Sequence, residues 1–95
     1  MSDPTLLSTS ERDALESVCP GWRLDGVHLK RAYEFGDFDE AMEFINQVAN
    51  VARELDHHPD LANVYNRVQL AVTTHDAGGL TSLDRSFAQR VSALT

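Results

Sequence analysis

Three of the four histidines lie in two short runs, Asp56-His57-His58-Pro59 and Thr74-His75-Asp76, with Asn63-Val64-Tyr65-Asn66-Arg67-Val68 between them. Imidazole is the side chain whose unperturbed pKa lies near physiological pH, so it can give or take a proton under working conditions. Gathered histidines suit general acid–base chemistry, where each positioned group typically supplies about 10²–10⁴-fold. A metal site built from His57, His58, His75 and a nearby aspartate is the competing chemistry. Adjacent histidines diverge at a helix end, whereas zinc ligands are usually spaced along a turn, so the expected constellation holds no metal. The fourth, His28, falls on the polar face of its strand and reads as a plain surface residue.

Two elements must hold these groups. Phe38, Ala41, Met42, Ile45, Val48, Ala49, Ala52 and Leu55 recur at spacings of three and four, and Asp37 with Glu40 caps the start, which predicts a helix. Pro59 cannot continue it, so His57 and His58 fall at or just past its C-terminus. Between Asn63 and His75, Val64, Val68, Leu70 and Val72 share one face, and Tyr65, Arg67, Gln69, Ala71, Thr73 and His75 the other. That alternation predicts one long strand ending at His75, with a hairpin turn at Asn66-Arg67 as the alternative. Ala77-Gly78-Gly79 breaks the strand, and Thr81 with Asp84 opens a final helix carrying Leu83, Phe87, Val91 and Leu94 on one stripe.

Upstream, Ser8 and Glu11 fit a capping box ahead of Ala14, Leu15 and Val18, and Pro20-Gly21 ends that helix. Trp22-Arg23-Leu24 forms a brief strand and Asp25-Gly26 a hairpin signal. Val27, Leu29, Tyr33 and Phe35 then alternate with His28, Lys30, Ala32 and Glu34, while Arg31 sits on the apolar face. Strands and amphipathic helices without βαβ alternation predict an α+β fold, an antiparallel sheet with helices packed on one face.

Ninety-five residues make a single domain, 1–95, with residues 1–7 expected to be a frayed lead. The net charge of −7 argues against a nucleic-acid backbone, which demands clustered Lys and Arg, and against anionic membrane surfaces; neutral heterocycles stay open. Cys19 is the lone cysteine, so no intrachain disulfide forms and a cytoplasmic location is expected. Met1 to Leu7 lacks the basic start and long apolar run of a signal peptide or anchor.

The spacing from Asp56-His57-His58-Pro59 to Tyr65, His75 and Asp84 resembles the signature of the pterin-4a-carbinolamine dehydratases, supported by Asn63–Val68, Thr74-His75-Asp76 and Gly21-Trp22. The likeness runs from about the first helix to the C-terminus. It implies an N-terminal helix, then two β-hairpins each followed by a helix, which favours the Asn66-Arg67 turn. It also implies a homodimer or homotetramer. The implied reaction is dehydration of a 4a-hydroxytetrahydropterin to the quinonoid dihydropterin, in recycling of a tetrahydrobiopterin-type cofactor, without a cofactor of its own. His57 and His75 would be the acid–base pair, and His58 would bind or orient the ring. Asp56 and Asp84 would hold an imidazole tautomer or bond the pterin; Trp22 would wall the pocket, and Tyr65 would complete the substrate side. One position departs from the pattern: Arg53 stands where relatives commonly carry an acid, and Glu54, one step on, is rotated by about 100° around the helix. The likeness also admits two alternatives, a non-catalytic, coactivator-like interaction module and a role in molybdopterin metabolism.

Overall fold

A computed structural model describes residues 5–95. Ser8 caps α1 (Thr9–Asp13), its hydroxyl accepting from the Glu11 amide while the Glu11 carboxylate accepts from the Ser8 amide. A break at Ala14 separates α1 from the one-turn α2 (Leu15–Val18). Leu6 and Leu7, expected within the frayed lead, are docked: Leu7 is buried, and its amide donates to the Leu80 carbonyl at 2.9 Å. The rest of that lead, residues 1–4, lies outside the described residues.

The Ser8 amide, then the Ser8 hydroxyl, hold the Glu11 carboxyl below the usual glutamate range, with Arg85 adding to the effect. A carboxyl depressed in the fold stabilises it above the unfolded value, and that contribution disappears as pH falls through the folded one. Thermal melts of the wild type and Glu11→Gln should therefore diverge at neutral pH, wild type higher, and converge in acid. Coincident melts at neutral pH would mean that the cap contributes nothing.

Strands β1 (Arg23–Asp25), β2 (His28–Glu34), β3 (Asp60–Val64) and β4 (Arg67–Val72) form one antiparallel sheet in the order β1-β2-β4-β3. Cross-strand partners share a face, so Leu24, Leu29 and Val72 line up, as do Arg31, Leu70 and Leu61. Leu29, Val68, Leu70 and Val72 are buried on this face, against α3 (Phe38–Leu55) and α4 (Ser82–Ser92). The other face carries Arg23, Lys30, Gln69 and Asp60. Among the described residues, four α-helices with a four-stranded antiparallel sheet make the α+β arrangement the pattern predicts.

Both hairpin loops sit one residue away from their sequence signals. Asp25 pairs with His28, so the loop is Gly26-Val27, and Gly26 takes φ +61°. Val64 pairs with Arg67, so the second loop is Tyr65-Asn66 rather than Asn66-Arg67, and Tyr65 takes φ +51°. A positive φ at the first loop residue is what the two-residue primed turns require. Asparagines do the work glycine would have done: Asn63 Nδ2 donates to the carbonyls of Tyr65 and Arg67, and Asn66 Nδ2 to Phe35.

The α3 stripe is turned slightly from its expected position: Ala41, Phe44, Val48, Val51 and Ala52 are buried, whereas Phe38 is exposed. Arg31 on the core face is satisfied without an acid. Its Nη1 donates to the Pro20 carbonyl and to Ser92 Oγ, both at 3.1 Å, and its guanidinium lies 4.3 Å over the Tyr33 ring. That guanidinium fills the space a Cβ on Gly21 would need, coming within 2.7 Å of it, and Gly21 itself has φ +89°. Cys19 is fully buried, and burial pushes its thiol up. No helix among the described residues is long and apolar enough to cross a membrane.

Candidate active site

The helix that carries the histidines ends abruptly. Asp56 takes a left-handed conformation (φ 49°, ψ 45°), and the His57 amide reaches back to the Ala52 carbonyl at 3.0 Å. This six-to-one bond beside a left-handed residue is the Schellman closure, normally built on glycine or asparagine. It reverses the chain so that the His57 imidazole meets the start of α4, while Asp56 and His58 stay exposed. Pro59 then leads into β3.

At the start of α4, Thr81 and Asp84 form a full capping box, and both are completely buried. Asp84 does more than cap. Its Oδ1 lies 2.6 Å from His57 Nε2, and its Oδ2 accepts from Thr74 Oγ1 at 2.8 Å and from the Thr81 amide at 2.9 Å. An N-terminal helix position and two donors suit an ionised carboxylate, which only accepts. His57 is 8 % exposed, so this pair is shielded from solvent on most sides.

His75 is not on a strand. β4 ends at Val72, and His75–Ala77 form a single 3₁₀ turn closed by pairing between Thr74 and Gly79. The turn leaves His75 exposed directly after buried Thr74. One buried carboxylate thus ties His57 to Thr74, the residue before His75.

The other expected site residues lie apart from this junction. Trp22 is in the core, 3 % exposed, edge-on to Phe87 with centroids 6.3 Å apart, and its Nε1 donates to Ser92 Oγ. Tyr65 stands at the tip of the second hairpin and is 61 % exposed. Arg53 donates to Asn50 Oδ1 and Glu54 pairs with Arg90; neither is hydrogen-bonded or ion-paired to His57 among the described residues. Thr74 and the Thr81 hydroxyl were not expected; the only signal for them is the threonine that precedes His75 and the one that caps α4. Among the described residues, no group of three or more His, Cys, Asp or Glu side chains is placed to hold a metal ion. A concavity of about 480 Å³ lies on the sheet, lined by Lys30, Ala32, Ala62, Gln69 and Ala71 among others, but no histidine borders it. Volume and chemistry point to different places, and the ionisable cluster is the better guide to a reaction.

Fold and site together define a small α+β domain in which a histidine and a buried carboxylate meet where the end of one helix faces the start of another. The chain belongs to the pterin 4 alpha carbinolamine dehydratase family, whose model it matches over residues 5–94. Relatives that bear the name "Putative pterin-4-alpha-carbinolamine dehydratase" include a Synechococcus sp. (strain WH7803) protein, 46 % identical over 95 % of this chain and 97 % of its own length. Another, from Novosphingobium aromaticivorans, is 45 % identical over 92 % of this chain and 93 % of its own. Among solved structures, a transcriptional coactivator/pterin dehydratase from Brucella melitensis superposes with a TM-score of 0.89 at 37 % identity, covering 95 % of this chain and 98 % of that one. A pterin dehydratase-like protein identified as a RuBisCO assembly factor in the alpha-carboxysome gives 0.67 at 25 % identity, covering 81 % of this chain and 92 % of that one.

Proposed function

We propose that this protein dehydrates a 4a-hydroxytetrahydropterin to the quinonoid dihydropterin, with His57, His58 and His75 carrying the chemistry. The observation that carries this reading is the buried Asp84–His57 pair, with Thr74, one residue before His75, bonded to the same carboxylate. Hydroxide is a poor leaving group, so an acid protonates the 4a oxygen as the C–O bond breaks. The N5 lone pair closes the C=N bond, and a base takes the N5 proton. One proton enters and one leaves, and the hydroxyl departs as water. His57 and His75 are the acid–base pair in this reading, and exposed His58 binds or orients the ring. Asp56, beside His57, is the further candidate for a pterin hydrogen bond. Trp22 and Tyr65, in the core and at a hairpin tip, fall outside the proposed contacts.

The setting is cytoplasmic recycling of a hydroxylase pterin, by a homodimer or homotetramer. Exposed Leu61 and Val64 on edge strand β3, with Phe38 on α3, support self-association. The test is stopped-flow: 4a-hydroxytetrahydropterin is generated by a phenylalanine hydroxylase and its ultraviolet decay followed with and without this protein. Acceleration by wild type is expected; a decay no faster than the spontaneous one across several pterins would sink the reaction. A non-catalytic assembly role is the second reading, favoured by the kinship with an assembly factor. It predicts no acceleration together with retained partner binding by a His57→Ala variant.

A further inference from the structure

An imidazole offers two nitrogens, and the hydrogen bonds around Asp84 distinguish them. We infer that Nδ1 of His57 is the nitrogen that meets the ligand, and that Thr74 is a positioning residue that holds it in that role. The inference rests on the proposed dehydration for its reaction, but its central claim is structural and can be read without turnover.

A hydroxyl carries one proton. Thr74 places its proton on Asp84 Oδ2, so in the 2.8 Å contact between Thr74 Oγ1 and Thr81 Oγ1 the donor is Thr81. Thr81 Oγ1 in turn accepts the Leu83 amide at 3.2 Å. The chain therefore runs one way, from Leu83 N–H through the Thr81 and Thr74 hydroxyls to the carboxylate. The Thr81 amide points at the same oxygen. With two donors on Oδ2 and the N-terminus of α4 behind it, Asp84 acts as an acceptor on both oxygens. The proton in the 2.6 Å contact with His57 then belongs to Nε2.

Nε2 is thereby committed, and Nδ1 is left to act. The imidazole makes no other hydrogen bond among the described residues, and their one buried side-chain polar atom without a partner is the Tyr33 hydroxyl. Nδ1 therefore reaches the surface, although His57 as a whole is nearly buried. A ring that shows solvent only one nitrogen, with its opposite nitrogen tied to a fixed acceptor, is set for proton transfer at that single atom. Valine at position 74 would keep the shape, remove the donor from Oδ2 and leave the Thr81 hydroxyl without its acceptor. Serine would keep both bonds.

The test is long-range ¹H–¹⁵N correlation NMR of the histidine rings, on wild type, Thr74→Val and Thr74→Ser. At a pH where the ring is neutral, wild type should show the Nε2–H form of His57. The unreactive 7,8-dihydrobiopterin should move the Nδ1 resonance and leave Nε2 nearly still. Thr74→Val should mix the tautomers and lower kcat about 10- to 100-fold, the rate equivalent of one hydrogen bond to a charged group, with KM little changed. Thr74→Ser should restore the single tautomer and most of the rate. A neutral ring protonated on Nδ1 and bare at Nε2 in wild type overturns the assignment, as does dihydropterin leaving Nδ1 unmoved. A pure Nε2–H tautomer with wild-type kcat in Thr74→Val overturns the role of Thr74. Should the valine variant not fold, Thr74→Ala is read in its place, with the same two outcomes. The assigned tautomer combined with no catalysed dehydration overturns the proposed reaction and not the tautomer.

Discussion

Replacing His57 by alanine is expected to lower kcat by about 10²–10⁴-fold and to leave the fold in place. The ring is the one histidine in contact with a buried acid among the described residues, and its removal takes away a proton-transfer group held within a fixed geometry. The fold survives because Asp84 keeps both donors on Oδ2, and the space vacated at the surface admits water to Oδ1. His58→Ala and His75→Ala are the informative companions. Both side chains are exposed and make no hydrogen bond among the described residues, so any rate they lose is not a packing effect. Stopped-flow turnover and thermal melts on the three variants separate the cases. A His57→Ala protein that turns over normally but melts early would make His57 a structural residue.

The largest effect on stability is expected from Asp84→Ala, at about 3–5 kcal/mol, from buried donors left without an acceptor. Three donors lose their acceptor at once: His57 Nε2, Thr74 Oγ1 and the Thr81 amide. Each buried donor left unpaired costs about 1–3 kcal/mol, and part is recovered by local relaxation. The α4 cap loses its reciprocal half in the same step. Urea unfolding should show a lower midpoint at unchanged slope, which reports stability rather than a different unfolded state. Asp84→Asn separates the two roles. It keeps the shape, but its amide group must turn a donor toward either His57 or Thr74, so activity should fall much further than stability. An Asp84→Ala midpoint equal to wild type would show that the carboxylate is solvated and the pair unimportant.

Periodicity made much of this molecule legible. The α3 stripe, the caps at Ser8, Asp37 and Thr81, and the order of elements depend on local patterns, and local patterns are in the sequence. The loops were harder because their turn chemistry is unusual. Tyr65 adopts a conformation that side chains rarely take, held by Asn63, which bonds across the hairpin, and by Asn66, which ties the loop to Phe35. The Thr73–His75 alternation continued the strand pattern on paper, but Thr74 pairs with Gly79 instead and folds His75 into a turn. At the site, the histidine run and Asp84 were legible as residue types at suggestive spacing. The resemblance offered Asp84 as a partner for an imidazole or the pterin; that the imidazole is His57, 27 residues away, depends on how α3 and α4 dock. Thr74 stayed hidden for the same reason: a threonine before a histidine has no meaning until a buried acceptor is placed beside it. Arg31 showed the converse, an apparent flaw in an apolar face that a carbonyl, a hydroxyl and an aromatic ring accommodate.

The Asp84 junction also bears on how the domain assembles. Its bonds reach back 10 residues to Thr74 and 27 to His57, so the intervening chain must be ordered before the carboxylate finds its partners. Closing segments of that length has an entropic cost, which the docking of α3 and α4 must offset. A chain stalled with its sheet formed and its last helix undocked would hold every histidine and no active arrangement. On the proposed reaction, activity and the folded fraction are therefore expected to fall together along a denaturation curve.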